Sequence, residues 1–280
     1  MDSQGIDWNK VWKDTLEKQL ALNRNVDCSS IWHGEKNARQ FWRMFQDDKA
    51  RAVTEKRIKD LKLSPDSRVL DIGSGPGTLA IPIARQVAHV TAVEPSDGMM
   101  NVMQENIKEY GIENIDTVHK DWEAVDVRSD LSAPYDVVFA SYSLGMKDIR
   151  ASIRKMMDAS SKYIYLYWFA GETSWDIHSR KLWPSLHGCE YQPAPKCNVL
   201  YNVLYDMEIY PNVSVFPFEH IHRYANFEEA VEDFKSYYNV TSDSQETVLR
   251  DYLEGILEPD NGNLIQRGGW STRVKMWWEI

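Results

Sequence analysis

The chain has 280 residues, 43% of them hydrophobic and 26% charged, the composition of a globular protein with apolar mass for a sizeable core. Lys and Arg number 32 against 42 Asp and Glu, and the resulting net charge of −10 argues against a nucleic-acid partner, which needs clustered cations. No apolar run approaches the roughly 18 residues of a membrane span, the start MDSQGIDWNKVW lacks a signal-peptide layout, and three unframed cysteines fit reduced thiols, so the expected location is cytoplasmic, with no membrane partner.

Ile6 to Arg24 reads as a helix, with Trp8, Val11, Trp12, Leu16 and Leu20 recurring at three- and four-residue steps. Asp27-Cys28-Ser29-Ser30 is a break, with Ser29 or Ser30 able to cap the next helix. Glu35 to Leu61 reads as a longer helical tract carrying Phe41, Trp42, Phe45, Val53 and Ile58. Residues 1–62 are therefore assigned to an aromatic-rich helical extension, and 63–280 to one main domain.

Arg68 to Ala84, RVLDIGSGPGTLAIPIA, is the stretch that carries chemistry. An apolar strand breaks at Gly73, Gly75 and Gly77, and a helix-like pattern resumes with Leu79, Ile81 and Ile83. A strand, a glycine turn and a helix present backbone N–H groups to a ligand. The spacing Gly75-x-Gly77-x-x-Ala80 also satisfies a dinucleotide pattern, a weak signal taken alone. Asp71, two residues before the first glycine, separates the possibilities. A carboxylate there repels a pyrophosphate and suits a ligand with a cationic amino group, such as S-adenosylmethionine.

Val69-Leu70-Asp71-Ile72-Gly73-Ser74-Gly75-Pro76-Gly77 resembles, without a gap, the first motif of the class I S-adenosylmethionine-dependent methyltransferases. Val90 to Glu94 is similar to the second strand of that family, whose terminal acid accepts hydrogen bonds from both ribose hydroxyls. Asp121, after the short strand Ile115 to His119, matches the acid that takes the adenine amino group, and Trp122 is placed to lie against the ring. Tyr135 to Ser141 matches the strand that ends at the methyl-transfer site. The resemblance covers about residues 65 to 170. It implies an α/β fold, a seven-stranded mostly parallel sheet flanked by helices, with an N-terminal helical lid and an inserted cap after the fifth strand. It implies S-adenosylmethionine as cofactor, S-adenosylhomocysteine as product, and a cofactor site of Asp71, Gly73, Ser74, Gly75, Gly77, Glu94, Pro95, Ser96, Met99, Asp121, Trp122 and Ser141. Trp32, His33 and Phe41 are candidates to line the lid.

Ser96 can cap a helix to Tyr110, with Asp97 in its first turn and Gly111 ending it. The loop Ser141 to Met146 lacks the Asn/Asp-Pro-Pro-aromatic motif of DNA N-methyltransferases. Leu144-Gly145 also departs from the Leu-His pair that small-molecule members often carry. Tyr142 remains the local candidate for contact with the acceptor. Ile149 to Ala159 reads as a helix, and Ser161 to Phe169 as the fifth strand.

Residues 171 to 225 read as the substrate cap, rich in aromatics including Trp175, Trp183 and Tyr191. His178, His187, Cys189 and Cys197 lack the short paired spacing of a zinc site, so no metal is expected. His220 and His222, two apart in the strand-like stretch Val213 to Tyr224, share a face and are candidate proton acceptors. Phe227 to Tyr238 and Glu246 to Leu257 read as helices, and Thr272 to Trp278 as the closing strand after a Gly268-Gly269 turn. The expected activity is methyl transfer to a small molecule, by a monomer or homodimer. Protein- or RNA-directed transfer and non-catalytic S-adenosylmethionine binding are the alternatives.

Overall fold

The computed structural model describes residues 5–22, 34–46, 48–219, 222–266 and 269–280. Three helices, α1 (Trp8–Leu22), α2 (Glu35–Met44) and α3 (Asp48–Lys59), precede β1 (Arg68–Ile72). The tract expected as one helix over 35–61 is interrupted at Phe45 and Gln46, so α2 and α3 are free to pack on different neighbours. Next come α4 (Ala80–Ala84), β2 (His89–Val93), α5 (Asp97–Glu109), β3 (Ile115–Val118), β4 (Tyr135–Ser141), α6 (Ile149–Ala159) and β5 (Ser160–Thr173). The remainder is α7 (Ser174–His187), α8 (Cys197–Asp206), β6 (Asn212–Glu219), β7 (His222–Tyr224), α9 (Phe227–Tyr237), α10 (Asp243–Glu254), β8 (Leu257–Asp260), β9 (Asn263–Gln266) and β10 (Trp270–Glu279).

The main sheet has seven strands in the order β3-β2-β1-β4-β5-β10-β6. β1 to β5 pair in parallel, and their apolar runs are buried by helices on both faces. β10 is antiparallel to both β5 and β6, so it alone opposes the other strands of this sheet. Sequence order reverses about β1, whose neighbours are β2 and β4, and that reversal opens a crevice at the carboxyl ends of these strands.

The stretch expected as one strand over 213–224 serves two sheets. β6 pairs with β10 as far as Glu219 opposite Trp270, where β10 begins. Beyond it, β7 pairs instead with β9, which also pairs with β8, in a separate three-stranded sheet. The expected helix end at Leu257 is likewise strand: Gly255 caps α10 at its C-terminus, and Leu257 pairs with Gln266.

Two cores lie on opposite faces of the main sheet. One joins Trp12 and Leu16 of α1 to α6, α8 and the inner residues Leu70, Val138, Leu166 and Val274. The other joins Ile58 of α3 to Val69, Ile83, Met103, Phe139, Tyr165 and Tyr167. Of the N-terminal helices, α1 packs against α6 and α8, while α3 packs on the other face. A third core, with Trp183, Tyr224, Phe234, Tyr238 and Leu253, belongs to the cap. That cap draws on α7, α9, α10 and the small sheet, so it reaches beyond residues 171–225, and α8 leaves it to pack against β5.

Trp12 is fully buried, and its indole N–H donates to the Met146 carbonyl at 2.9 Å. It thereby pins the loop after β4 from the far side of the sheet. Trp12→Ala should destabilise the fold by about 3–5 kcal/mol. Urea unfolding followed by fluorescence or circular dichroism would check this, and a cost below about 1 kcal/mol would mean that the loop is held by other contacts.

Candidate active site

The glycine turn after β1 is fixed by its own backbone. The Gly73 and Ser74 N–H groups both donate to the Val93 carbonyl, at 2.8 and 3.1 Å, which ties the ends of β1 and β2 together. Gly73 has φ +70°, and a Cβ there would collide with Cβ of Ser143. Gly75 differs: its φ is +56°, yet a Cβ would meet nothing nearer than the Met99 sulfur at 4.0 Å. The space above Gly75 is thus open to a ligand approaching the backbone closely.

Glu94 comes directly after β2 and is buried. Its two oxygens accept the Gly75 N–H at 2.8 Å and the Ser96 N–H at 2.9 Å. One carboxylate therefore fixes the spacing of both loops. Ser96 caps α5 by accepting the Met99 N–H, and the Pro95 carbonyl lies 3.1 Å from the His119 ring nitrogen. The Ser74 hydroxyl turns inward, 3.4 Å from the Val93 carbonyl.

Asp71 is 1% exposed, and its Oδ2 has no hydrogen-bond partner. Burial pushes its pKa well above the ordinary carboxylate value, nearby Glu94 adds to the rise, and Arg57 opposes it. A buried carboxyl with an unused oxygen is costly unless a cation or donor meets it.

Beside Asp71 lies a second constellation at the end of β4. Tyr142 adopts φ +61°, a strained conformation for a bulky residue, and its N–H is held by the Tyr167 carbonyl at 3.1 Å. Its hydroxyl and that of Tyr167 are buried without a well-formed hydrogen bond. The Tyr142 ring packs 5.2 Å from Phe169, which meets Trp175 edge-on at 5.0 Å. Two arginines lie over Tyr142: Arg57 of α3 at 5.3 Å and Arg273 of β10 at 4.4 Å from the ring centroid. Arg57 also donates to the Ser141 hydroxyl at 3.3 Å.

Residues 69–161 match the family model described as "Methyltransferase domain". This segment is a methyltransferase domain. The match ends with β5's first residues and encloses the glycine turn, Glu94, Asp121 and Tyr142. A Haemophilus influenzae protein, described only as uncharacterised, is 33% identical over 118 residues, 42% of this chain and 43% of that protein. The shared segment thus spans less than half of that relative. Among solved structures, the plantazolicin methyltransferase BamL in complex with a triazolic desmethylPZN analogue and S-adenosylhomocysteine is similar in fold, with a TM-score of 0.53 and 13% identity. The likeness covers 98% of this chain and 99% of that one. Magnesium protoporphyrin IX methyltransferase from Synechocystis PCC 6803, with bound S-adenosylhomocysteine, gives a TM-score of 0.51 at 15% identity, covering 97% and 99%. At these identities the likeness is one of fold, and the fold is that of class I methyltransferases.

Around the methyltransferase domain's turn, the structure gathers Asp71, Gly73, Ser74, Gly75, Gly77, Glu94, Pro95, Ser96, Met99 and Ser141 at neighbouring strand ends. Asp121 is exposed and precedes a short 3₁₀ turn. Trp122 does not face out with it. Its indole donates to the Ser152 carbonyl at 3.2 Å inside the core with α6, a partner that its polar N–H requires when buried. His220, Trp32 and His33 lie outside the described residues. His222 sits in β7 of the small sheet, its ring stacked with Tyr224, and the end of β6 separates it from the main-sheet strands.

His178, His187, Cys189 and Cys197 are engaged separately. His178 meets the Tyr252 hydroxyl at 2.6 Å and the Gln266 amide at 2.8 Å, and burial lowers its pKa. His187 meets the Tyr238 carbonyl, Cys189 the Leu22 carbonyl, and Cys197 the Ala170 carbonyl. Among the described residues no group of three His, Cys, Asp or Glu could hold a metal ion. Sequence reasoning missed Arg57 and Arg273, because neither belongs to a motif and only the fold brings α3 and β10 to the end of β4.

Asp71→Asn keeps the shape of the side chain and removes the charge. For a carboxyl whose folded pKa is raised, ionisation penalises the folded state, and the penalty grows as pH rises above the unfolded value. The Asn variant should therefore melt at a higher temperature than the parent near pH 7, with the difference shrinking toward pH 4. Melting curves across that range test this; an Asn variant less stable at pH 7 would show that Asp71 is already paired in the unliganded protein.

Proposed function

We propose that this chain transfers the methyl group of S-adenosylmethionine to a small-molecule acceptor. The observation that carries the reading is the orphaned Asp71 Oδ2, buried beside an open Gly75 and a fixed Glu94. These residues fit the cofactor: Asp71 meets its ammonium, the Gly75 backbone allows close approach, and Glu94 accepts from the ribose hydroxyls. When bound, S-adenosylmethionine supplies a methyl group already activated by a positive sulfur. The S-adenosylhomocysteine in the two similar methyltransferase structures supports the same cofactor here.

The protein's own task is then alignment and exclusion of water. Ser141 ends β4 and Tyr142 follows it directly, two and three residues beyond Phe139, which the β1–β4 pairing sets opposite Asp71. Tyr142, Tyr167 and Phe169 make an aromatic wall that excludes water and orients a flat acceptor. The Tyr142 hydroxyl, with the Arg273 guanidinium as its polar neighbour, is the group this wall offers to the acceptor. Among the described residues no helix is long and apolar enough to cross a membrane.

Calorimetric titration with S-adenosylmethionine, S-adenosylhomocysteine and NAD is the direct test. We expect micromolar binding of the first two and none of NAD, with Glu94→Ala weakening both by about tenfold or more. Binding of NAD alone would replace this reading with a dinucleotide site. Once product mass has identified an acceptor, Tyr142→Phe should lower kcat/KM about tenfold while leaving cofactor affinity unchanged. An unaltered kcat/KM would remove Tyr142 from the acceptor site.

A further inference from the structure

We infer that the acceptor carries an anionic group, a carboxylate or a phosphate, which Arg57 and Arg273 hold against the face of Tyr142; this rests on the methyltransferase reading above. Arg57 is 9% exposed and reaches the site from α3, between the Tyr142 ring and the Tyr167 ring, 5.6 Å away. Arg273 is partly buried and reaches the same ring from β10, between Tyr142 and Phe218, whose ring centroid is 3.3 Å away. In β10 it sits across from Phe169 of β5 and Phe216 of β6, so it shares a sheet face with both.

Among the described residues, neither guanidinium lies within ion-pair distance of a carboxylate. Their polar partners are hydroxyls: Ser141 for Arg57, and Ser271 at 3.1 Å together with the Tyr142 hydroxyl for Arg273. Of the carboxylates nearby, Asp60 pairs with Lys275 at 3.5 Å. Burial and the Glu94 charge disfavour ionisation of Asp71, the Arg57 charge favours it, and no ion pair joins the two. Burial holds the Arg273 guanidinium below its ordinary value, and the Arg57 charge adds to that lowering. Two like charges sharing one ring away from bulk water are mutually unfavourable, and aromatic faces compensate them only in part. An anion between them removes the repulsion and supplies the acceptors that ten guanidinium N–H donors are short of.

The chemistry also says which part of the acceptor this anion is. Two guanidiniums withdraw electron density from the oxygen they bind and lower its nucleophilicity. The anion is therefore a handle that orients the molecule, and a different atom takes the methyl group. The aromatic wall of Tyr142, Tyr167, Phe169 and Phe218 suits a ring attached to that handle.

The test titrates the protein, with and without saturating S-adenosylhomocysteine, with benzoate, phenyl phosphate and neutral benzyl alcohol. Benzoate or phenyl phosphate should bind at least about tenfold more tightly than benzyl alcohol, and the better of the two identifies the handle. Arg273→Gln should abolish that preference and leave S-adenosylhomocysteine affinity unchanged, while Arg273→Lys should retain part of it. Circular dichroism melts confirm that both variants fold. Equal affinity for all three probes, with S-adenosylhomocysteine still bound, would overturn the anion site and leave the methyltransferase reading standing. Arg273-dependent anion binding without any S-adenosylhomocysteine binding would do the reverse, and would overturn the assignment of this anion to a methyl acceptor.

Discussion

A carboxyl group buried at the end of a central strand is the constraint on which this molecule turns. β1 is flanked on both sides by parallel strands and covered on both faces, so Asp71 cannot reach water. Its cost is localised at the one place where the strand order reverses and the chain opens a crevice. The surrounding backbone is arranged to keep that crevice rigid. The Val93 carbonyl takes both N–H groups of the turn, and Glu94 clamps Gly75 and Ser96. A ligand entering here meets groups already in place, so little of its binding free energy is spent on ordering them.

The neighbouring half-site is assembled on the opposite logic, from residues far apart in the chain. Tyr142 is forced into a left-handed conformation by the exit from β4 and held there by the Tyr167 carbonyl. Strain of this kind costs about 1–3 kcal/mol and persists only where the surroundings over-determine it. Here the surroundings are two guanidiniums and three aromatic rings, contributed by α3, β5, β6 and β10. β10 matters doubly, since its reversed direction between β5 and β6 is what places Arg273 beside Phe169.

How much of this was legible in the residues depends on whether the signal is local. The glycine turn, Asp71 and Glu94 lie within 24 residues and announce themselves by spacing, and the parallel strands by short apolar runs. Ser96 as a helix cap was equally local. Trp122 shows the limit: adjacency to Asp121 suggested a shared role, yet the 3₁₀ turn sends one to solvent and the other into the core. The stretch 213–224 has a single strand pattern, and only the length of β10 decides that it is divided between two sheets. Arg57 and Arg273 sit in unremarkable sequence, on a short helix and a closing strand. No periodicity marks them, because their meaning arises from the pairing of β10 and the packing of α3.

The N-terminal helices are attached to the rest of the molecule by different kinds of contact. α2 lies against α5, where Ala38 meets Met99 and Val102, and its other side faces α9 of the cap. Polar links on these two sides include Arg39 with Glu105 at 2.7 Å and Gln40 with Asp233 at 3.3 Å. Exposed ion pairs contribute only about 0–1 kcal/mol, so apolar contact carries most of the attachment of α2: Ala38 is fully buried against Met99 and Val102, Phe41 and Trp42 pack around it, and Trp42 meets Tyr110 edge-on at 6.0 Å. Trp12, by contrast, anchors α1 with a fully buried indole. The N-terminal helices are thus held at separate places, α2 on α5 and α1 beneath the loop that follows β4.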